Sequence, residues 1–234
     1  MPVVTMSGNI ASGAREVGLL VARELGVDFV DQQLMVHAAQ RCGVTVGSMA
    51  ERDERRASFK ERMSGLFRTF LERSAASGAD PLSGATGLEV ILSRSYAEMG
   101  EDEEPQVSDK LYLDTMTSII TELADTGAIV LLGRGSQMIL KDVPAALHVL
   151  CIAPQKLRAY RLAERDGMGL DAAAKRTAES DRGRSAFYRK FWKVDVEDPK
   201  LYDLTADTSR LTFETTAEVV VAAARAKSAA PAGV

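Results

Sequence analysis

The N-terminal segment constrains the fold more than any other part of this 234-residue chain. A short apolar run at residues 3–6 leads into a loop bounded by Gly8 and Gly13, and a helix-periodic apolar segment follows. The two glycines have the spacing of the phosphate-binding motif G-x-x-x-x-G-K-[ST], in which backbone N–H groups converge on phosphate oxygens at a helix N-terminus. The sequence therefore predicts a strand, a phosphate-binding loop and a helix, the layout of a nucleotide enzyme.

The loop departs from this motif at two positions. Ala14 stands where a lysine is expected, and Arg15 stands where a serine or threonine would hold Mg²⁺. Arg15 could supply the missing positive charge, because a guanidinium is permanently charged and can bridge phosphate oxygens. The predicted phosphate-binding residues are Gly8, Asn9, Ile10, Ala11, Ser12, Gly13, Ala14, Arg15 and Glu16.

Composition excludes several other classes of function. The net charge of −4 argues against a general nucleic-acid binder, and no run of about 20 apolar residues predicts a membrane helix. The two cysteines, Cys42 and Cys151, are far apart, as are His37 and His148, so the protein itself offers no predicted metal site. We expect one globular domain in the cytoplasm, with no nucleic-acid or membrane partner.

Strands and helices alternate along the rest of the chain. Apolar runs without polar alternation predict buried strands near residues 128–132 and 146–152, a short buried strand is predicted at 27–31, and a last strand is predicted near 203–205. Helical periodicity marks residues 16–25, 108–125, 154–166, 171–192 and 213–227. This alternation predicts an α/β fold with a parallel sheet, whose strands carry Asp31 and Arg134 at the carboxyl ends that face ligands.

Arginines are the candidate catalytic groups, because phosphoryl transfer depends on neutralising charge. Arg134 follows a predicted buried strand between two glycines, which favours a phosphate contact. The segment 180–190 brings Asp181, Arg182 and Arg184 around Gly183, a composition that suits a lid closing over phosphates. Arg158 and Arg161 share a helix face and could equally be solvated charges.

A charged helical segment at residues 51–73 carries an apolar stripe. An apolar helical face of this kind serves packing within one chain or across a homodimer, and the pattern leaves both uses open. The stripe consists of Phe59, Met63, Leu66, Phe67, Phe70 and Leu71.

The order of these motifs resembles the cytidylate kinase-like family. The likeness rests on residues 3–18, 29–31, 133–135, 152–161, 181–184 and 202–211. It implies a P-loop NTPase-type five-stranded parallel sheet flanked by helices, a helical acceptor-binding insertion at 48–107 and an arginine-bearing lid at 165–195. It also implies that the acceptor is bound by Asp31, Arg134, Asp181 and Arg184. From the residues we further expect a flexible tail at 228–234, and our hypothesis is that Arg15, Arg134, Arg182 and Arg184 are catalytic.

The resemblance implies a nucleoside monophosphate kinase that transfers phosphate from ATP, with Mg²⁺, to a pyrimidine nucleoside monophosphate such as CMP or dCMP. Two alternatives stay open. The altered loop allows a nucleotide-binding regulatory protein with weak or no transfer, and a divergent insertion allows a kinase of a non-nucleotide small molecule. Binding without turnover distinguishes the first alternative, and acceptor profiling distinguishes the second.

Overall fold

The predicted alternation of strands and helices is present in the computed structural model, which describes residues 2–36, 63, 65, 67, 85–96, 98 and 107–229. Its strands are β1 (Val3–Gly8), β2 (Asp28–Val30), β3 (Ile129–Leu132), β4 (Ala146–Ile152) and β5 (Leu204–Asp207). Its helices are α1 (Ala14–Leu25), α2 (Ala85–Ser93), α3 (Val107–Asp125), α4 (Ser136–Ile139), α5 (Gln155–Asp166), α6 (Leu170–Trp192) and α7 (Phe213–Ala229). A 3₁₀ turn lies at Pro199–Leu201.

The five strands form one sheet in the order β2-β3-β1-β4-β5. Every described pairing is parallel, with Val3 opposite both Ile129 and Ala146 in the sheet centre. The predicted fold class, a five-stranded parallel sheet flanked by helices, is therefore confirmed. Because all strands point the same way, their carboxyl ends meet at one edge, where the phosphate-binding loop leaves β1.

Successive residues of the central strands point to opposite faces of the sheet and feed two separate cores. Val3 and Ile129 belong to a core shared with α3, whereas Val4 and Val130 belong to a core shared with α1 and α7. Burial on both faces explains why these strands are mostly apolar. The sheet is thus held rigidly from both sides, which fixes the positions of its carboxyl ends.

Helix boundaries agree with the sequence pattern within a few residues. Helix α1 ends at Gly26, whose φ of 68° suits the left-handed C-cap that glycine favours. Helix α3 begins at Val107, one residue before the predicted start at 108, and ends at Asp125 as predicted. Helix α7 extends to Ala229, two residues into the predicted tail, and residues 230–234 lie outside the described part of the chain.

The described residues of the apolar stripe are buried within this chain. Met63 and Phe67 are helical and less than 2% exposed, and both pack into the core that contains α3. The other stripe residues lie outside the described ranges: Phe59, Leu66, Phe70 and Leu71. Within those ranges, no helix combines the length and the apolar character that crossing a membrane requires.

Candidate active site

A cavity of about 330 Å³ opens at the carboxyl edge of the sheet, beside the phosphate-binding loop. The complete loop from Gly8 to Glu16 contributes to its wall. Four arginines also line it, which gives a small space an excess of positive charge suited to phosphate groups. Its other lining residues are Ser7, Asp31, Gln32, Gln33, Tyr96, Leu132, Gly133 and Ser180, and the four arginines are Arg15, Arg134, Arg165 and Arg184.

The loop depends on two glycines that no larger residue could replace without rearrangement. A Cβ on Gly8 would lie 2.2 Å from Ser12 Oγ and 2.6 Å from the carbonyl oxygen of Cys151. Gly13 has a φ of +91° and lies directly before α1, where a Cβ would lie 2.6 Å from the ring of Phe213. The spacing recognised in the sequence therefore corresponds to a compact loop that delivers backbone N–H groups to the N-terminus of a helix.

The position of the missing lysine is enclosed. Ala14 is 5% exposed and its methyl group belongs to the core around α1. Arg15, in contrast, is about half exposed, and its Nε lies 3.3 Å from Oδ2 of Asp31 across the cavity mouth. The other carboxylate oxygen of Asp31 accepts the N–H of Leu34. Two predicted site residues, Arg15 and Asp31, are thus brought together as an ion pair.

Arg134 is buried in an unusual turn at the end of β3. Gly133, Arg134 and Gly135 all have positive φ, and a positive φ costs energy for a residue with a Cβ. The hydroxyl of Tyr96 accepts the N–H of Arg134, and Arg134 Nη1 donates to Tyr112 Oη at 3.1 Å. Burial raises the pKa of Tyr112 more than the nearby Arg134 charge lowers it, so this hydroxyl stays neutral. These contacts hold the guanidinium at the cavity wall.

Arg184 is the second buried arginine of the cavity, with 4% of its surface exposed. Its Nη2 donates to Ser7 Oγ at 2.7 Å and its Nη1 donates to Asn9 Oδ1 at 2.9 Å. The amide nitrogen of Asn9 in turn donates to Glu197 at 2.8 Å. The helix predicted to carry lid residues therefore contacts the beginning of the phosphate-binding loop directly.

Arg158 and Arg161 are not solvated charges, because both reach the outer side of the loop. Arg158 is 4% exposed and lies 3.4 Å from the carbonyl of Ile10, and Arg161 lies 3.4 Å from the carbonyl of Ala11. Arg161 also donates to Thr208, whose hydroxyl donates to the Ser12 carbonyl at 2.7 Å. Helix α5 thus supports the loop from behind.

Two predicted lid residues lie away from the cavity wall. Asp181 accepts both terminal nitrogens of Arg158 at 2.9 and 2.7 Å, so it orients a loop-supporting arginine. Arg182 is exposed and is not part of the cavity lining. Their predicted contacts with substrate, and the lid itself, stay predictions.

Sequence reasoning missed several residues of the cavity and its support. Tyr96 and Arg94 hold Arg134 but follow the short α2 helix, in a region without a recognisable motif. Arg165 lines the cavity and pairs with Asp166, which looked like an ordinary charged helix end in the sequence. Ser7, the residue directly before the first loop glycine, could have been suspected from its position alone.

The sequence of this chain is similar to those of known proteins. The model of the cytidylate kinase-like family matches residues 3–210. A cytidylate kinase of Aeropyrum pernix is 31% identical over 133 residues, covering 56% of this chain and 74% of that protein. One of Methanocaldococcus jannaschii is 32% identical over 139 residues, covering 58% and 73%.

A solved structure supports the fold independently of sequence. It is described as an uncharacterized protein from Eubacterium ventriosum, and it superposes with a TM-score of 0.61 over 96% of this chain and 98% of its own. At 13% identity the likeness concerns the fold alone. Because the family model matches residues 3–210, which include all five strands of the described sheet and the loop, the chain belongs to the cytidylate kinase-like family.

Proposed function

We propose that this protein transfers the γ-phosphoryl group of ATP to a pyrimidine nucleoside monophosphate, CMP or dCMP first. The observation that carries the proposal is the convergence of Arg15, Arg134 and Arg184 on the cavity beside the phosphate-binding loop. Family membership supports a nucleotide kinase, and the curated relatives named above are cytidylate kinases. The preference for CMP comes from those relatives.

In this proposal the chain performs phosphoryl transfer by positioning and by charge neutralisation. The N–H groups of the loop bind the ATP phosphates, and Arg184 and Arg15 add positive charge on either side of the loop. Arg134 binds the phosphate of the acceptor. The bond between the γ-phosphorus and the β,γ-bridging oxygen breaks while an acceptor phosphate oxygen bonds to that phosphorus, giving ADP and a nucleoside diphosphate.

The residues present fit a magnesium ion that arrives with ATP. Mg²⁺ usually keeps several waters and binds one or two carboxylates besides substrate phosphates. Asp31 and Glu16 line the cavity, whereas the described residues contain no cluster of three or more His, Cys, Asp or Glu that could form a separate metal cage. Asp31 would therefore hold the hydrated ion, which neutralises phosphate charge when bound.

The test is Mg²⁺-dependent ADP formation from ATP across a panel of nucleoside monophosphates, with wild type beside Arg15→Ala, Arg134→Ala and Arg225→Ala. We expect stimulation by CMP or dCMP that falls at least tenfold in the first two variants. Arg225 is an exposed arginine on α7 outside the cavity lining, so its variant should match wild type. Equal activity in Arg134→Ala and wild type would contradict the acceptor role.

One observation favours a catalytically weak nucleotide-binding protein as the second candidate. Ala14 is packed in the core, so the loop lacks the usual lysine as well as the usual hydroxyl at position 15. Calorimetric binding of ATP without turnover on any monophosphate would favour this candidate. Turnover on non-nucleotide phosphate acceptors alone would instead favour a small-molecule kinase.

A further inference from the structure

A chain of buried ionic contacts lies behind the cavity wall and takes no part in the proposed transfer. Lys190 of α6 places Nζ 2.7 Å from Oδ2 of Asp109 on α3, and both side chains are almost fully buried, at 2% and 1% exposure. Nη2 of Arg94, just after α2, lies 2.8 Å from the other oxygen of Asp109. Burying charge is costly, and a hydrophobic pair often serves stability as well. Two buried charges with a third, partly exposed one beside them therefore call for a role beyond stability.

This ionic chain ends at Arg134. The carbonyl oxygen of Arg94 accepts Nη1 of Arg134 at 2.7 Å, and Tyr96, two residues later, accepts the Arg134 N–H. Tyr112, one helical turn after Asp109 on α3, is the hydroxyl partner of the Arg134 guanidinium. The segment after α2 that carries Arg94, and the helix α3 that carries Asp109, thus supply the described hydrogen-bond acceptors of Arg134.

The division of partners has an electrostatic consequence. The described partners of Arg134 are a carbonyl and two hydroxyls, all neutral, whereas the carboxylate of Asp109 faces Lys190 and Arg94. A guanidinium held by neutral acceptors keeps its charge for an incoming anion, because no carboxylate neutralises it. The carboxylate of Asp109 nevertheless holds the side chain of Arg94 and thereby the position of its backbone. The backbone carbonyl of Arg94 accepts Nη1 of Arg134 and so orients its guanidinium.

We propose that Asp109 and Arg94 are positioning residues that orient Arg134 toward the acceptor phosphate. Lys190 balances the buried carboxylate and ties α6 to the same arrangement. The proposal rests on the proposed function for the identity of the anion that Arg134 binds. The orientation of Arg134 itself does not depend on that identity.

Arg94→Met tests this role with little risk to folding. The Arg94 side chain is 24% exposed. Its replacement removes the contact between Arg94 Nη2 and Asp109 and leaves the buried Lys190–Asp109 pair intact. We expect the KM for CMP to rise at least tenfold, with the KM for ATP and the thermal midpoint close to wild type. Arg94→Lys keeps a cation near Asp109 and should restore most of the affinity, which loss of packing alone would not predict.

A second readout makes the result independent of activity. The NMR order parameter of the Arg134 side-chain Nε, assigned with Arg134→Lys, should fall from a rigid value of about 0.85 to below about 0.6 in Arg94→Met. An unchanged order parameter, or an unchanged KM for CMP, overturns the proposal. A lower order parameter in a protein whose wild type turns over no nucleotide would support the positioning and refute the proposed function.

Discussion

The buried Lys190–Asp109 pair gives the sharpest test of the energetics. Replacing Lys190 by methionine keeps most of the aliphatic stem and removes the charge, which leaves the Asp109 carboxylate, 1% exposed, with Arg94 at 2.8 Å but without Lys190 at 2.7 Å. Breaking a buried ion pair by removing one member costs about 3–5 kcal/mol of unfolding free energy, and because Arg94 still faces the carboxylate we expect the lower end, about 3 kcal/mol. At about 2–4 °C per kcal/mol for a chain of this size, the thermal midpoint should fall by about 6–12 °C.

A matched pair on the same protein isolates the effect of burial. Lys227 Nζ also lies 2.7 Å from a carboxylate, that of Asp203, but these side chains are 29% and 36% exposed. An exposed pair contributes about 0–1 kcal/mol, so Lys227→Met should change stability by no more than that. Both variants remove an ammonium group that lies 2.7 Å from a carboxylate. The difference between their losses of unfolding free energy therefore measures the effect of burial.

Urea unfolding followed by the fluorescence of Trp192, the single tryptophan, is a suitable assay. The double variant Lys190→Met/Asp109→Asn removes both charges, and we expect it to regain about 2 kcal/mol relative to Lys190→Met, because the buried carboxylate charge that had lost Lys190 is then gone. The reasoning is refuted if Lys190→Met costs less than about 1 kcal/mol, or no more than Lys227→Met.

Two further predictions concern the loop and the sheet. Gly8→Ala should abolish ATP binding in calorimetry, because the new Cβ would lie 2.2 Å from Ser12 Oγ and 2.6 Å from the carbonyl oxygen of Cys151. The control Gly169→Ala, whose new Cβ would meet nothing within 4 Å, should bind ATP like wild type. Equal ATP affinities of the two variants would contradict the loop geometry. Burial lowers the pKa of His148 from 6.5 more than Asp203 raises it, so the unfolded chain binds a proton at higher pH than the folded chain. Unfolding free energy should therefore decrease as pH falls below about 6.5, by at most about 1.4 kcal/mol per pH unit from this group. In urea titrations at each pH, His148→Asn should show a smaller decrease than wild type. Parallel profiles of unfolding free energy against pH for the two proteins would show that His148 contributes nothing.

The sheet and the loop were predictable because their signals are local. Uninterrupted apolar runs such as residues 128–132 mark strands buried on both faces, and the spacing of Gly8 and Gly13 fixes the loop within a few residues. Helical periodicity was less decisive for single positions. In α3 the helical periodicity predicts that Leu111 faces the core together with other apolar residues of the helix. This prediction is wrong for Leu111, which is 45% exposed, whereas its neighbour Tyr112 is fully buried.

The partners of the charged residues could not be predicted, because they lie far apart in sequence. Asp109 and Lys190 are 81 residues apart, and Arg158 and the Ile10 carbonyl are 148 apart. A charge-rich segment such as 180–190 gives no sign of which cation is buried. Lys190 looks like a solvated lid residue in the sequence, but α6 turns it into the core.

The distribution of carboxylates divides the arginines of the site into two groups. Arg15, Arg158 and Arg165 each pair with an aspartate, so much of their charge is already balanced within the protein. Within the described part of the chain, Arg134 and Arg184 form no such pair and bond only neutral oxygens, although both are about 95% buried.

An uncompensated buried cation is unfavourable unless an anion completes it. Among the described residues, no carboxylate pairs with these two cations on either side of the loop, so a bound anion would balance them. Under the proposed function, and since the loop itself lacks its lysine, we expect these two arginines to neutralise the phosphates of donor and acceptor. Because their partners are neutral, the charges of Arg134 and Arg184 stay available for a bound anion. Replacing Tyr112 or Ser7 with a carboxylate residue should therefore weaken phosphate binding more than replacing either with an apolar residue.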